Sequence, residues 1–293
     1  MSPVWADLGL VYCAAVWGAT FYMVKDALSG VDPVAMVAHR FLLSALLLAP
    51  WALVRPTRGR HLKESLILAV LLFLLYATQT IGLGFTSASN SGFITGLFVI
   101  FVPVFLLMFF RKSPTVVQWI SSALALLGLW MLTGGISSVN FGDVITLVAA
   151  ATYAAHLLAT DKYVRADADT LVLAFHQFWM TGLMALAYCL ISGRSLAVRG
   201  DSAAGTIAFL AVVPTLSAFF IQMWAQKVTA PIKVSLIFSL EPVFAALFAW
   251  TIGGELFVPA RAAGGGLIVA AMMGGELSKL DLLKGRKKEI LPS

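Results

Sequence analysis

Long apolar stretches alternate with short polar segments along the whole chain. Ten of the stretches are between 16 and 23 residues long, close to the roughly 17–25 residues with which an α-helix crosses a bilayer. They cover residues 8–24, 33–54, 62–84, 92–110, 115–134, 144–159, 171–191, 206–224, 234–252 and 259–275. The segments between them are too short to fold as a domain outside the membrane. The pattern therefore predicts an all-α integral membrane protein with ten transmembrane helices, which we call spans 1 to 10.

The composition agrees with this fold class and excludes a soluble one. Of the 293 residues, 60% are hydrophobic and 12% are charged, and the mean hydropathy is +0.92. Soluble domains contain about 25% charged residues. Two cysteines, Cys13 and Cys189, lie within apolar spans, where we interpret them as small packing residues rather than as a disulfide or a metal site.

The two halves of the sequence resemble each other, which indicates a duplication. His39-Arg40-Phe41 returns 137 positions later as His176-Gln177-Phe178, and Val102-Pro103-Val104-Phe105 is matched 139 positions later by Glu241-Pro242-Val243-Phe244. Asp7 and Trp17 are matched by Asp143 and Tyr153 at an offset of 136. A unit of five helices ends on the opposite side of the membrane from its start, so its copy is inverted. We predict two inverted five-helix repeats, 1–137 and 138–277, around a central cavity, followed by a basic cytoplasmic tail, 278–293. Such repeats are typical of secondary transporters.

The positions of Lys and Arg predict the orientation, since short loops rich in these residues stay in the cytoplasm. With the N-terminus inside, 15 of the 20 basic residues fall in cytoplasmic segments, 4 fall in outer loops, and Arg40 lies within span 2. Both termini are therefore expected in the cytoplasm, with residues 29–31, 137–139 and 192–199 outside. The net charge of +6 reflects this sorting and implies no nucleic acid partner. The basic run 284–288 is also suited to contact anionic lipid.

The sequence contains no motif for a chemical reaction. Gly-x4-Gly-Lys-Ser/Thr, which binds nucleotide phosphates, and His-Glu-x-x-His, which binds zinc, are both absent. No Ser/His/Asp set or pair of carboxylates suggests an intramembrane hydrolase. We therefore expect neither an enzyme nor a cofactor or metal site, and no transport powered by ATP on this chain.

Interior prolines at equivalent points of the two repeats are predicted to act as gating or hinge residues. Pro103 in span 4 and Pro242 in span 9 each remove a backbone hydrogen bond and bend a helix. The freed carbonyls are tolerated in a membrane only where protein or a water-filled cavity satisfies them. The bends are thus expected beside a substrate site, although prolines that merely shape the bundle are the alternative. Glycines of spans 5 and 10, among them Gly128 and Gly264, predict close packing of these two helices outside the cavity.

Polar and aromatic residues of the other eight spans are the candidates for binding substrate. Arg40 is the only basic residue deep in a span, and Glu241 is the only acidic residue well inside one. Charges at such positions are costly and usually face a cavity or a partner, so a structural ion pair between these two residues is the alternative. A packing role also remains open for each histidine. The predicted substrate-binding residues are Trp17, His39, Arg40, Tyr76, Gln79, Phe93, Tyr153, His176, Gln177, Trp179, Trp224 and Glu241.

Several of these residues belong to stretches that resemble a known family. The run from Gln79 to Leu97, followed by Val102-Pro103, is similar to the EamA branch of the drug/metabolite transporter superfamily, as are Val16-Trp17-Gly18, His39-Arg40-Phe41 and Ser239-Leu240-Glu241-Pro242-Val243-Phe244. The similarity extends from about residue 7 to residue 275. It implies a ten-helix, inverted-repeat carrier of the bacterial inner membrane, commonly an exporter of amino acids or related metabolites. Exporters of aromatic amino acids and paraquat are the nearest functional match.

The sequence thus leads to the expectation of an exporter of small amphipathic metabolites, with aromatic amino acids as the leading substrates, working by alternating access as a monomer or a homodimer. Its partners would be a small-molecule substrate and membrane lipid. A multidrug exporter of organic cations that uses Glu241 is the alternative within transport. A membrane scaffold that transports nothing, or an intramembrane enzyme, is the alternative from another class.

Overall fold

The computed structural model describes residues 2–86, 88–135, 139–166, 168–251 and 256–289, apart from the side chains at 88, 89, 249 and 275–289. Within these ranges the chain is helical apart from short connections, and it contains no strand. The first half comprises α1 (Pro3–Ala27), α2 (Pro33–Leu53), α3 (Leu62–Phe85), α4 (Ala88–Gly96), α5 (Phe98–Phe110) and α6 (Val116–Thr133). The second half comprises α7 (Phe141–Arg165), α8 (Thr170–Ile191), α9 (Asp201–Leu210), a π-helical segment (Ala211–Ser217), α10 (Ala218–Gln226), α11 (Pro231–Phe238), α12 (Glu241–Thr251) and α13 (Pro259–Glu289).

These helices confirm the predicted fold class. In the part of the chain that the structure describes, nine helical stretches are long and apolar enough to cross a membrane, and they coincide with spans 1 to 9. Span 10 forms the first part of α13, which continues to Glu289 into the predicted basic tail. Spans 4, 8 and 9 are each divided, span 4 into α4 and α5, span 8 into α9, the π-helical segment and α10, and span 9 into α11 and α12. Interior prolines predicted a bend in spans 4 and 9, whereas the π-helical segment of span 8 was not predicted.

Equivalent aspartates start equivalent helices in the two repeats. Asp32 precedes α2 and accepts a hydrogen bond from the backbone N–H of Val34 at 2.8 Å. Asp169, 137 positions later, precedes α8 and accepts one from Leu171 at 3.1 Å. Aspartate is a favoured residue at this position because its carboxylate satisfies N–H groups that have no partner within the helix. The two helices therefore begin by the same local mechanism.

Contacts between helices follow a two-fold relationship between the repeats. α2 packs against α8 and α6 against α13, so that each pair joins a span to its own counterpart. α3 of span 3 packs against α7 of span 6. The equivalent contact with the two repeats exchanged, α10 of span 8 against α1 of span 1, is also present. The contacts of α5 with α7 and of α12 with α1 are related in the same way. This pattern, together with the odd number of spans in each half, gives two inverted repeats that enclose a central region.

The predicted close packing of spans 5 and 10 is present. At Gly128, a side chain would meet the carbonyl oxygen of Gly264, and at Gly264 it would meet the backbone of α6. The backbones of α6 and α13 approach each other there because neither glycine has a side chain. These two helices lie outside the central region, which is built from the other eight spans.

Candidate functional site

A small cavity of about 40 Å³ lies between α1, α2, α3, α7, α10 and α12. A water molecule needs about 10–15 Å³ of such volume, so the cavity has room for a few waters and is too small for an amino acid. It extends from the middle of the bundle toward the ends of α1 and α3 and the beginning of α2, where Val24, Leu83 and Met36 line it. Under the predicted topology, this is the outer side of the membrane.

Arg40 lines this cavity and is held by two hydroxyl groups. Its Nε donates a hydrogen bond to Oγ1 of Thr215 at 2.5 Å, and its Nη2 donates a longer one to the hydroxyl of Tyr76 at 3.3 Å. The guanidinium carbon also lies 4.4 Å from the centre of the Tyr76 ring, within the range of a cation–π contact. The positive charge is thus buried with neutral partners and faces the cavity.

Glu241 lines the same cavity as the first residue of α12. Its side chain is 6% exposed, and its Oε2 has no hydrogen-bond partner in the described part of the chain. A buried carboxylate oxygen without a partner is costly, which marks this position as one suited to a cation or a donor absent from the structure. Gly18 allows α1 to approach this point closely, because a side chain at Gly18 would collide with the carbonyl oxygen of Glu241.

Arg40 and Glu241 do not form the ion pair that the sequence left open. Among the described residues, the ion pairs are Arg165 with Asp161, Arg194 with Asp32 and Lys233 with Asp7. Arg40 is bound instead to groups of α3 and of the π-helical segment. The guanidinium and the carboxyl group therefore face one cavity without forming an ion pair.

Aromatic rings form the wall of the cavity on the side of α1, α7 and α10. Trp17 and Tyr153, which are equivalent residues of the two repeats, have ring centres 6.4 Å apart. Phe219 lies 5.5 Å from Trp17 and 6.3 Å from Tyr76. The indole N–H of Trp17 donates to the carbonyl oxygen of Pro214 at 2.8 Å. That hydrogen bond fixes the ring and satisfies the polar atom that a buried tryptophan carries.

The π-helical segment supplies backbone acceptors to the neighbouring helices. Besides the bond from Trp17, Oγ of Ser44 donates to the carbonyl oxygen of Ala211 at 2.9 Å. Oγ1 of Thr215 donates to the carbonyl oxygen of Leu210 at 2.7 Å and accepts from Arg40. Pro214 in the middle of the segment has no N–H to donate, and π-helical turns occur frequently at functional sites. This irregular turn thus positions both Arg40 and Trp17.

Six of the twelve predicted substrate-binding residues meet at this cavity, namely Trp17, Arg40, Tyr76, Gln79, Tyr153 and Glu241. Gln79 donates a hydrogen bond to Oγ1 of Thr95 at 3.2 Å. Thr215 and Phe219 belong to the site as well and were not predicted. Pro214, a third interior proline, was the signal in the sequence that could have drawn attention to them.

The other six predicted residues lie away from the cavity, and three of them form hydrogen bonds elsewhere on span 7. His176 donates from Nε2 to the carbonyl oxygen of Arg58 at 2.6 Å and accepts from Nε1 of Trp179 at 2.9 Å. His176 thus ties α8 to the connection between α2 and α3, and Trp179 holds the His176 ring. Gln177 points to His156 and Met223. The structure therefore places these three side chains outside the cavity, because each is engaged with the α2–α3 connection, with another helix or with its own helix.

His39, Phe93 and Trp224 also lie away from the cavity. Nδ1 of His39 donates to the carbonyl oxygen of Ala35 in its own helix at 2.7 Å, so the ring lies along α2 in a cleft of apolar residues. Phe93 is buried against Trp130 of α6, with ring centres 5.4 Å apart. Trp224 is 51% exposed and lies near the loop residues Arg55 and Lys227.

The two predicted hinge prolines occupy different local settings. Pro242 is the second residue of α12. The helix begins directly after the turn at residues 239–240, which separates α12 from α11. Pro103 lies inside α5, and the division of span 4 falls six residues earlier, at Leu97. No group of three His, Cys, Asp or Glu suited to a metal ion occurs among the described residues.

The fold and the cavity together define a multi-pass membrane protein built from two helical repeats. Residues 4–134 and 140–274 each match the EamA-like transporter family. The chain belongs to this family and is a membrane-embedded transporter.

Named relatives agree with that assignment. The chain is 29% identical over 273 residues to an uncharacterized transporter of Archaeoglobus fulgidus, covering 93% of this chain and 86% of the relative. It is 24% identical over 284 residues to the uncharacterized inner membrane transporter YedA of Escherichia coli, covering 93% and 90% of the two chains. A solved crystal structure has the same fold, with a TM-score of 0.79 at 17% identity over 94% of this chain and 98% of that one.

Proposed function

We propose that the protein exports small amphipathic metabolites, with aromatic amino acids as the leading substrates, across the inner membrane by alternating access. The observation that carries this proposal is that Arg40 and Glu241 line one cavity and form no ion pair with each other. An amino acid offers a carboxylate to the guanidinium and an ammonium group to the carboxylate. The rings of Trp17, Tyr153 and Phe219 then provide an apolar wall for its side chain.

Alternating access is supported by the symmetry of the bundle and the position of the cavity. The cavity extends toward one end only, and it is lined chiefly by α1, α2 and α3 of the first repeat. The contacts of α3 and α5 with α7 have counterparts, α10 and α12 with α1, in which the two repeats exchange roles. A transporter of this kind opens toward the other side when the two repeats exchange conformations. Because the cavity is too small for substrate, the helices around it must move apart for binding.

An exporter of organic cations is the second candidate, favoured by the unequal partners of the two charges. Arg40 already has Thr215 and Tyr76, whereas Oε2 of Glu241 has no partner in the described chain. An organic cation requires only the carboxylate and an aromatic wall, where a cation–π contact contributes about 0.5–2 kcal/mol. For such a substrate Arg40 has no binding role.

Flux measurements on purified protein in proteoliposomes distinguish the two candidates. Labelled phenylalanine and a labelled organic cation are tested with the wild type and with Arg40→Gln. Losing one charged hydrogen bond costs roughly 1.5–3 kcal/mol, or about ten- to a hundredfold in affinity. We expect Arg40→Gln to abolish phenylalanine flux and to leave any cation flux largely intact.

Thermal unfolding of Arg40→Gln is measured beside flux, because the guanidinium also joins α2 to α3 and to span 8. Arg40→Lys, which keeps the charge and loses the bond geometry of the guanidinium, serves as the matched variant. A stable Arg40→Gln protein that exports phenylalanine normally would remove the carboxylate-binding role and the preference for amino acids. Flux of the cation alone in the wild type would favour the second candidate.

A further inference from the structure

A second group of polar side chains is buried between α7, α8 and α10, outside the cavity. Nε2 of His156 and Oε1 of Gln177 lie 3.1 Å apart, and Nε2 of Gln222 donates to Oε1 of Gln226 at 3.0 Å. Nε2 of Gln226 donates to the carbonyl oxygen of Leu157 at 3.0 Å, which joins the two pairs through α7. We call His156, Thr160, Gln177, Gln222 and Gln226 the inner polar cluster. Each of these side chains is at most 1% exposed.

The inner polar cluster is incompletely satisfied. Nδ1 of His156, Oγ1 of Thr160 and Oε1 of Gln222 have no hydrogen-bond partner within the described residues. Most buried polar atoms in native proteins are paired, and each exception requires a reason. Three such atoms on two neighbouring helices are suited to a conformation in which water or a ligand reaches them.

The internal repeat connects this cluster with the cavity. At the offset of 136 that relates Trp17 to Tyr153, His156 corresponds to Thr20 and Thr160 to Val24. At the offset of 137, Gln177 corresponds to Arg40. Thr20, Val24 and Arg40 all line the cavity. The inner polar cluster is therefore the counterpart, in the inverted second repeat, of the wall of the cavity in the first.

Phe219 lies beside the cluster toward the cavity, and Arg165 lies beyond it at the end of α7. Toward the cavity, the ring of Phe219 lies against His156, with ring centres 5.9 Å apart, and Phe219 itself lines the cavity. At the end of α7, Arg165 donates to Asp161 at 2.8 Å and to the carbonyl oxygen of Thr229 at 2.7 Å. The second bond joins α7 to the connection between α10 and α11.

We infer that the inner polar cluster is the second half of the translocation path and is closed in this conformation. Once Phe219 and Arg165 move aside, its neutral amide and imidazole groups bind the same small zwitterionic or amphipathic substrate. This inference rests on the proposed function, because it assumes that substrate passes between the repeats. Under the predicted topology the cluster opens to the cytoplasm. The substrate is handed from amides and an imidazole on the inner side to the charges of Arg40 and Glu241.

Cysteine accessibility tests the path without using a substrate. Thr160→Cys is treated with a membrane-impermeant thiol reagent in inside-out vesicles and in right-side-out vesicles. Ser122→Cys is the matched control, since Ser122 is an equally buried hydroxyl near the start of α6, outside the cluster and, under the predicted topology, toward the same side of the membrane as Thr160. The wild type, with buried Cys13 and Cys189, gives the background.

We expect Thr160→Cys to react at least tenfold faster than Ser122→Cys, and only in inside-out vesicles. Adding Arg165→Ala should accelerate the reaction further, because the contact with Thr229 is lost. Reaction of Thr160→Cys no faster than that of the control would overturn the inference, as would reaction from the outer side alone. Accessible Thr160→Cys in a protein without amino acid or cation flux would keep the path and remove the proposed substrates.

The binding role of the cluster is tested by Gln222→Met, which preserves length and removes the hydrogen-bonding groups. We expect about tenfold slower phenylalanine flux, the loss that one hydrogen bond implies, with Ser122→Ala remaining at the wild-type rate. Folded Gln222→Met protein with normal flux would overturn the binding role. If Gln222→Met does not fold, the labelling of Thr160→Cys still decides whether the path exists.

Discussion

Arg40 donates its Nε hydrogen bond to Oγ1 of Thr215 rather than to the carboxylate of Glu241, although both Arg40 and Glu241 line the same cavity. The guanidinium is thereby fixed by a hydroxyl group of the π-helical segment in span 8. Its charge remains available to a carboxylate in the cavity, and Glu241 remains available to a cation. This arrangement makes Thr215 a positioning residue for the proposed substrate site.

Replacing Thr215 by Val tests that role, because valine has nearly the same shape and no hydroxyl group. Arg40 and the carbonyl oxygen of Leu210 both lose a partner, so we expect the free energy of unfolding to fall by about 1–3 kcal/mol. Phenylalanine flux should fall as well, because the guanidinium is no longer fixed. Thermal unfolding and proteoliposome flux are the measurements.

Thr181→Val is a suitable control, since Thr181 is a buried threonine that donates to the carbonyl oxygen of Ala69 outside the cavity. It should lose stability and keep its flux. Wild-type stability together with wild-type flux in Thr215→Val would show that Arg40 does not depend on this bond.

Replacing Glu241 by Gln should separate stability from function. The amide keeps the shape and removes a negative charge whose Oε2 has no partner in the described chain. Because burying an unpaired charge is costly, the midpoint of thermal unfolding should stay constant or rise, while flux of amino acids and organic cations falls sharply. The paired acid Asp7, 2.7 Å from Lys233, provides the contrast, since Asp7→Asn should lower the midpoint. A Glu241→Gln protein with normal flux of both substrates would argue against a binding role.

Replacing the hinge prolines by alanine should slow transport without preventing insertion. Pro242 follows the turn that divides span 9, so Pro242→Ala favours a continuous helix across residues 239–240. Pro103 lies inside α5, away from the division at Leu97, so Pro103→Ala should have the smaller effect on flux. Because the prolines occupy inverted positions, the two variants should shift the accessibility of Thr20→Cys in opposite directions. Wild-type flux in both variants would mean that the prolines only shape the bundle.

The predicted topology is tested by two cysteines in exposed loops. Ser29 follows α1, and Gly59 lies between α2 and α3, where a side chain meets no neighbouring atom. With both termini in the cytoplasm, an impermeant reagent should label Ser29→Cys in intact cells and Gly59→Cys only after the membrane is opened. The reverse result would overturn the orientation. The predicted outer segment 137–139 lies largely outside the described residues.

The stability of the loop between α2 and α3 should depend on pH through Asp169. Burial by itself would raise the pKa of Asp169. Hydrogen bonds from Thr57, Val172 and Leu171 and the charge of Arg55 outweigh burial and hold the pKa below the ordinary value of 3.8. A carboxylate whose pKa is lowered by folding stabilises the protein above its unfolded pKa and loses this contribution as pH falls through the folded value.

The contribution of Asp169 should therefore be complete above about pH 4 and disappear below it. Thermal unfolding between pH 3 and pH 6 is compared for the wild type and Asp169→Asn. The difference between the two midpoints should shrink as the pH falls, and a constant difference would contradict this assignment.

Apolar length and the internal repeat determined the fold from the sequence alone. Helices are forced on a chain in lipid, because every backbone polar group must be satisfied within its own segment. The ten apolar stretches therefore gave the spans, and the match of Trp17 with Tyr153 gave the inverted relationship. The same reasoning located the central cavity and identified Arg40 and Glu241, since a charge deep in a span requires a cavity or a partner.

Only the tertiary structure decided which side chains meet. A helix presents residues on all sides, and aromatic or polar residues look the same in sequence whether they face lipid, another helix or a cavity. The sequence consequently predicted His39 and Gln177 in the cavity, whereas helix packing puts both outside it. The π-helical segment contains Thr215, which reaches Arg40, and it rotates the following part of span 8 relative to a regular helix, where Phe219 lines the cavity. No local pattern specifies that rotation, because it depends on bonds from Trp17, Arg40 and Ser44 on other helices.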